Sequence, residues 1–215
     1  MVKIVHRVTG KSLLKASNDS IRGCVLSGHN LAHADFSGQD LSGCKFTGCN
    51  LSEADFSNCI LSHAEINNCS LKRSNFTNAV LSNGSFCDNS FEHSNFINCV
   101  ATDSKFHHAK MSHADFSGSD FSRSDFFFAE VRSDFSGAKL VETKFFGADL
   151  TEANFTKANM QLANMTDAKI DRAKFALTQM QGAIGTNGQP WGFTVRPQAS
   201  KKPWWKVWNS GSETA

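Results

Sequence analysis

The sequence predicts an all-β solenoid of four-sided coils, and three observations carry that expectation. Large apolar residues recur at every fifth position, a small residue stands two places before nearly every one of them, and a second period of twenty residues aligns the phenylalanines. A period of five fits neither the 3.6 of a helix nor the plain 2 of a long strand, so the backbone must turn once per repeat. Four turns close a coil of twenty residues. Coils stacked about 4.8 Å apart through strand-like hydrogen bonds give a rod of about eight coils, of order 40 Å long. Proline cannot donate to such a ladder, and it is confined to Pro190 and two later positions of the 215 residues.

The elements follow in chain order. A solenoid end exposes an unpaired edge, and residues 1–18 read as an N-terminal hairpin cap. There Val2, Ile4, Val8, Leu13 and Leu14 flank a Thr9-Gly10 turn. The repeat body, residues 19–184, begins with Ile21 and Leu26 as its first large apolar residues, here called central. Phe36, Phe56, Phe76, Phe96 and Phe116 form a ladder at twenty-residue spacing, recovered at Phe135, Phe155 and Phe175 after one short step of four residues from Val131 to Phe135. That step predicts a local irregularity or bend.

The position two before the centre shares its inward face and holds small residues such as Ala34, Ala54, Ala114 and Ala153. Six of the seven cysteines, Cys24, Cys44, Cys49, Cys59, Cys69 and Cys99, occupy this slot, so they read as reduced, small core residues. Cys87 lies outside it and is expected on the surface. The residue between slot and centre points outward and is mostly polar, as at Asp35, Asp55, Asn50 and Asn154. After the centre come Ser or Thr and then often Gly or Asn, which tolerate tight turns. Departures are the inward polar residues His29, Gln39 and Asn89 and the small central Ala101. Beyond Ile184 the repeat stops, and residues 185–215 form a basic tail holding Trp191, Trp204, Trp205 and Trp208 among Lys201, Lys202 and Lys206. It reads as a C-terminal cap or, alternatively, as a docking peptide for a protein partner or an anionic membrane surface.

This pattern resembles the pentapeptide-repeat family, whose motif A(D/N)LXX appears as Ala34-Asp35-Phe36-Ser37-Gly38 and Ala153-Asn154-Phe155-Thr156-Lys157. The resemblance covers roughly residues 19 to 184. It implies a right-handed quadrilateral β-helix with central and slot residues inward. It also implies a function to weigh, since the Qnr-type and mycobacterial fluoroquinolone-resistance members resemble a DNA rod and bind gyrase.

Function is bounded more than it is defined. A filled β-helix offers no pocket of convergent titratable groups, so no enzyme activity and no cofactor are expected. His107, His108 and His113 lie close in sequence and His93 should stack on His113, but three or four converging ligands for a metal are not evident. The N-terminus lacks the apolar core of a signal peptide and no membrane span is present, which points to the cytoplasm. Residues 1–18 carry +4 and residues 185–215 carry +3, leaving the repeat body at −5 within a total of +2. A body of that sign repels phosphate, so direct nucleic-acid binding is not expected. The Asp35, Asp55, Asp115 and Asp134 column is interrupted by Asn75 and Asn95, a discontinuous imitation of duplex charge.

Two outward apolar exceptions stand out: Ile60, Val80 and Val100 on successive coils, and a corner where Phe127, Phe128 and Phe146 should point outward beside His107 and His108. Contiguous exposed apolar residues mark an interface, unless the protein's own tail covers them. The leading expectation is therefore a non-catalytic scaffold for protein interaction, with an unidentified protein partner or a homodimer. The alternative is a DNA-mimic modulator of gyrase or topoisomerase. Together with Trp204, Trp205 and Trp208, these outward residues are the candidate interaction surface.

Overall fold

The computed structural model describes residues 3–15 and 20–192. The chain is a right-handed, four-sided β-helix made of strands and single bridges. The strands are β1 (Lys3–His6), β2 (Ser12–Lys15), β3 (Val25–Ser27), β4 (Ala34–Asp35), β5 (Lys45–Thr47) and β6 (Glu65–Asn67). Successive coils pair in parallel, with Leu26 opposite Phe46 and Phe46 opposite Ile66. The same pairing continues as single bridges, from Asn30 opposite Asn50 to Asn164 opposite Ile184. We name the faces A, B, C and D after their central residues in the second coil, Phe36, Leu41, Phe46 and Leu51.

Most corners are closed by a turn bond. The N–H of a slot residue donates to the carbonyl of the central residue three before it, as Ala34 does to Leu31 at 3.1 Å. The third residue of the turn is left-handed, with φ of 68° at Gly38 and 57° at Asn58, the geometry of a type II turn that favours Gly and Asn. The outward polar residue does more than face water. Its Oδ1 accepts the N–H two residues on, from Ser37 to Asp35 at 3.0 Å, from Thr77 to Asn75 at 3.1 Å and from Thr156 to Asn154 at 3.1 Å. An Asx turn thus leads into the corner, which explains why Asp or Asn recurs two places before Ser or Thr.

Inside, the face A phenylalanines stack with ring centroids 4.9 Å apart for Phe36 on Phe56 and 4.6 Å for Phe116 on Phe135. Phe86, Phe106, Phe126 and Phe145 make a second ladder on face C at 5.1–5.2 Å. Edge-to-face contacts such as Phe126 to Phe135, at 6.2 Å and 90°, tie the two together. Ala101 leaves room that Phe121 of the next coil uses, its ring lying 5.5 Å from Phe106 and 6.3 Å from Phe96. Polar slot residues are satisfied because each central carbonyl has a second lone pair. Ser94 donates to Leu71 O at 2.7 Å, Ser104 to Leu81 O at 2.8 Å and Cys59 Sγ to Phe36 O at 2.8 Å.

The short step changes one corner only. Only Arg132 stands between the central Val131 and the slot residue Ser133, so this corner lacks the left-handed residue that His113 supplies one coil earlier at φ 63°. The ladder passes through with its spacing reduced by one, Asp115 pairing with Asp134. Ser133 fills the slot, donating to Met111 O and accepting from the Ala114 N–H at 3.2 Å.

Two inward polar expectations are corrected. His29 is exposed and Gln39 only half-buried; the His29 slot lies on the first coil, which has no coil before it. Asn89, by contrast, is buried. Cys87 is half-buried rather than open, its N–H donating to Asn67 Oδ1 at 2.9 Å.

At the N-terminal end β1 pairs antiparallel with β2 on one side and with β4 on the other, and Ile4 is buried against the core. At the C-terminal end Pro190 pairs antiparallel with Ile184, and Trp191 packs on Phe175 with ring centroids 5.0 Å apart, covering the last ring of the face A ladder.

Candidate functional site

The most distinctive surface lies at the corner between faces C and D. In the column just after the face C centres, Asn67 and Cys87 are followed by His107, Phe127 and Phe146, and then Thr166. Left-handed neighbours complete the corner: His108 at φ 55°, Phe128 at φ 50° and Gly147 at φ 64°. A bulky residue rarely adopts that conformation. Phe128 does so because its ring lies over Gly147 of the next coil, where a Cβ would come within 2.8 Å of its Cε1. The rings form one cluster. Phe127 stacks on Phe146 at 5.7 Å and 11°, and Phe128 meets Phe127 edge-on at 4.6 Å. His108 continues the stack at 6.2 Å from Phe128, and His107 lies 5.7 Å from Phe127. His107 Nε2 stands 3.3 Å from Asp125 Oδ2, an ion pair only when the imidazole is protonated.

Despite this mutual packing the cluster stays open, with Phe127 37% and Phe128 49% exposed and Phe146 half-buried. Ile60, Val80 and Val100 also stand in parallel register, bounded by Asp40 and Asp120. Ile60 and Val100 are 45% and 40% exposed. They run along the middle of face B, with face C between them and the aromatic corner, so the two apolar sets are separate surfaces. Trp204, Trp205 and Trp208 lie outside the described residues. Sequence reasoning missed two exposed leucines, Leu162 and Leu177 at 55% and 78%. Each sits at a left-handed corner, and a leucine where the column prefers Gly or Asn was the available signal.

Part of the acidic charge of the body is paired across coils. Arg123 Nη2 reaches Asp103 at 2.6 Å, Lys139 Nζ reaches Asp120 at 3.0 Å, Arg172 reaches Glu152 at 2.7 Å and Lys45 reaches Glu65 at 2.8 Å. Ser122 and Lys139 hold the Asp120 carboxyl below its ordinary range, against the opposing effect of burial. His93 and His113 stack with ring centroids 5.0 Å apart. Among the described residues no group of three His, Cys, Asp or Glu side chains is placed to hold a metal, and no helix is long and apolar enough to cross a membrane.

The family model described as pentapeptide repeats matches in eight copies, over residues 20–58, 40–78, 54–88, 90–123, 131–167 and 148–184. The chain belongs to the pentapeptide-repeat family. Among solved structures it is similar to a trypsin-treated variant of QnrB1, a plasmid-mediated fluoroquinolone resistance protein. The identity is 20%, the TM-score 0.60, and the match covers 80% of this chain and 88% of that one. HetL, a pentapeptide repeat protein involved in heterocyst differentiation regulation from the cyanobacterium Nostoc sp. strain PCC 7120, is 22% identical over 81% of this chain and 94% of its own, with a TM-score of 0.28. These identities speak to fold alone, and the second superposition carries no argument. No curated protein matches the chain by sequence. The aromatic corner is therefore an addition to a pentapeptide-repeat rod: the family motif leaves the positions after the centre open, and here they hold rings.

Proposed function

We propose that this pentapeptide-repeat chain is a non-catalytic scaffold of the cytoplasm that docks a protein partner on the aromatic corner of Phe127, Phe128 and Phe146. The observation that carries the reading is three clustered rings left open, Phe127 and Phe146 in a column that other coils fill with Asn67, Cys87 and Thr166 and Phe128 in one that they fill with Asn68 and Asp88. Fully burying a Phe side chain contributes about 1.5–3 kcal/mol. Covering the exposed part of these rings therefore contributes about 3 kcal/mol in all, the scale of an interface hot spot.

The test is quantitative capture of proteins from native lysate by the full chain and by Phe127→Ser with Phe146→Ser, with Ile60→Ser and Val100→Ser as a surface control. Proteins retained by the wild type should be lost from the first variant and kept by the second. Equal capture by all three would reject the reading. Sedimentation velocity over a range of concentrations reports whether the partner is a second copy, in which case the shift disappears in the Phe variant.

A second reading, charge mimicry of duplex DNA toward gyrase or another topoisomerase, draws on the Asp35–Asp55 and Asp115–Asp134 bridges of face A. Asn75 and Asn95 interrupt that column, and cations pair with the acids beside it, Arg123 with Asp103 and Lys139 with Asp120. DNA carries one charge per about 1.7 Å, which this surface does not approach. Supercoiling by gyrase that is unaffected by excess protein would dispose of it.

A further inference from the structure

We propose that Cys24 and Cys44 are a modification site, forming a reversible disulfide between the first two coils with a glutathione-type disulfide as the oxidant. They occupy the same inward slot of face C on successive coils, one residue before the in-register pair Val25 and Lys45. Their Sγ atoms stand 2.7 Å apart, against about 2.05 Å in a formed disulfide. Neighbouring strands place such Cα atoms about 4.8 Å apart, inside the range of roughly 4.4–6.8 Å that disulfides span. Cys49 and Cys69 also stack, on face D, where the Cys69 sulfur accepts the Cys49 N–H at 3.3 Å just as the Cys44 sulfur accepts the Cys24 N–H at 3.2 Å, but on face D both residues are buried. Cys59 and Cys99 are buried on face B with Ala79 between them.

Access and chemistry favour the first pair. Cys24 is half-buried on the first coil, whereas Cys44 lies buried one coil further in. The Cys24 S–H hydrogen-bonds the Cys44 sulfur, which holds Cys44 below the ordinary thiol range and Cys24 above it. Only Cys24 is open to an oxidant, so the reaction runs through the minor form of the pair in which the proton sits on Cys44, whose S–H donates to Ile21 O at 2.9 Å, and the thiolate sits on Cys24.

That Cys24 thiolate attacks oxidised glutathione, forming a mixed disulfide and releasing one glutathione thiolate. The Cys44 thiolate then attacks Cys24 Sγ and expels the second. Each cysteine sulfur gives up one electron, the oxidant's two sulfurs are reduced, and the two cysteine protons pass to solvent or to the departing thiolates. Reduced glutathione reverses both steps, in keeping with the tight geometry of a bridge between stacked strands and with the transient character of disulfides in a reducing compartment. The bond ties down the coil that stacks on one side only.

The test treats the full chain with oxidised glutathione, then denatures it, alkylates it with maleimide and maps peptides by mass spectrometry. Two fewer of the seven thiols should label, with the Cys24 and Cys44 peptides linked, and reduced glutathione should restore them. Cys24→Ser and Cys44→Ser should each abolish the link and Cys49→Ser retain it. Serine suits this slot, since Ser104 and Ser124 already fill it on face C with bonds to Leu81 O and Ala101 O at 2.8 and 2.5 Å; circular dichroism confirms that the variants fold. Full labelling after oxidation, a stable glutathione adduct on Cys24, or a link between other cysteines would overturn the proposal.

Discussion

Replacing Asn89 with alanine removes a side chain that stands in for a missing turn bond. At most corners the slot N–H closes the turn onto the central carbonyl, but the Cys69 N–H donates instead to Asn89 Oδ1 at 2.7 Å. Asn89 Nδ2 donates to Ile66 O, the carbonyl left open, at 2.6 Å. With Asn89 only 1% exposed, water cannot take its place. Asn89→Ala therefore orphans one buried donor and one buried acceptor. At about 1–3 kcal/mol for each unsatisfied group the loss is about 2–6 kcal/mol, nearer the lower figure if the Cys69 N–H swings back to Ile66. Urea unfolding measures that loss, and hydrogen exchange at the Cys69 amide should accelerate with it. Asn89→Ser keeps the donor to Ile66 O, as Ser94 does for Leu71 O at 2.7 Å, and should cost about half as much. A change in Asn89→Ala below about 0.5 kcal/mol, or unaltered exchange at Cys69, would refute the clamp.

Four further outcomes follow from particular contacts. Ala101→Leu should destabilise by about 1–3 kcal/mol because Phe121 occupies the space beside it, and a more stable variant in thermal unfolding would show that the space is empty. Gly84→Ala should also destabilise, since its Cβ would fall 2.5 Å from Phe86 Cε2 and 2.9 Å from Leu81 O; unchanged stability would show that Phe86 moves freely. Phe128→Gly relieves about 1–2 kcal/mol of left-handed backbone cost while giving up ring packing, so partner capture should fall with little net change in stability. A large loss of stability would place Phe128 among the core instead. Asp40, held low by the Ser42 hydroxyl and N–H, and Asp120 and Asp149, where such bonds and a nearby cation outweigh burial, have folded pKa values below their unfolded ones. Their contribution is present above about pH 4 and is lost as pH falls through the folded values, so the melting temperature should drop below about pH 4, and a flat profile down to pH 2 would contradict this.

The interior was legible in the sequence because each of its signals has one physical reading. A five-residue period demands a turn per repeat, and Phe36, Phe56 and Phe76 at twenty-residue spacing demand stacked coils; both appear as drawn. The corners were less legible. Asp35 and Asn75 read as outward polar residues, and periodicity cannot show that their oxygens hold the next turn. His29 follows the inward pattern yet is exposed, because a slot at a solenoid end has nothing above it. Asn89 stood out as a departure, but its role depends on a corner whose turn is held by a side chain. In the aromatic corner, Phe127 and Phe146 could be placed from register alone. That Phe128 tolerates a left-handed backbone because Gly147 makes room required coordinates.

The central claim, that function resides in the aromatic corner rather than in the repeat, is tested most directly by a photoreactive benzoyl-phenylalanine placed at Phe127 in living cells. The same probe at exposed Leu162, on a different corner, serves as the control. The account predicts a discrete protein adduct from position 127 that is absent from position 162 and lost when Phe146→Ser is added. Equal adducts at both positions, or none at 127, would contradict it.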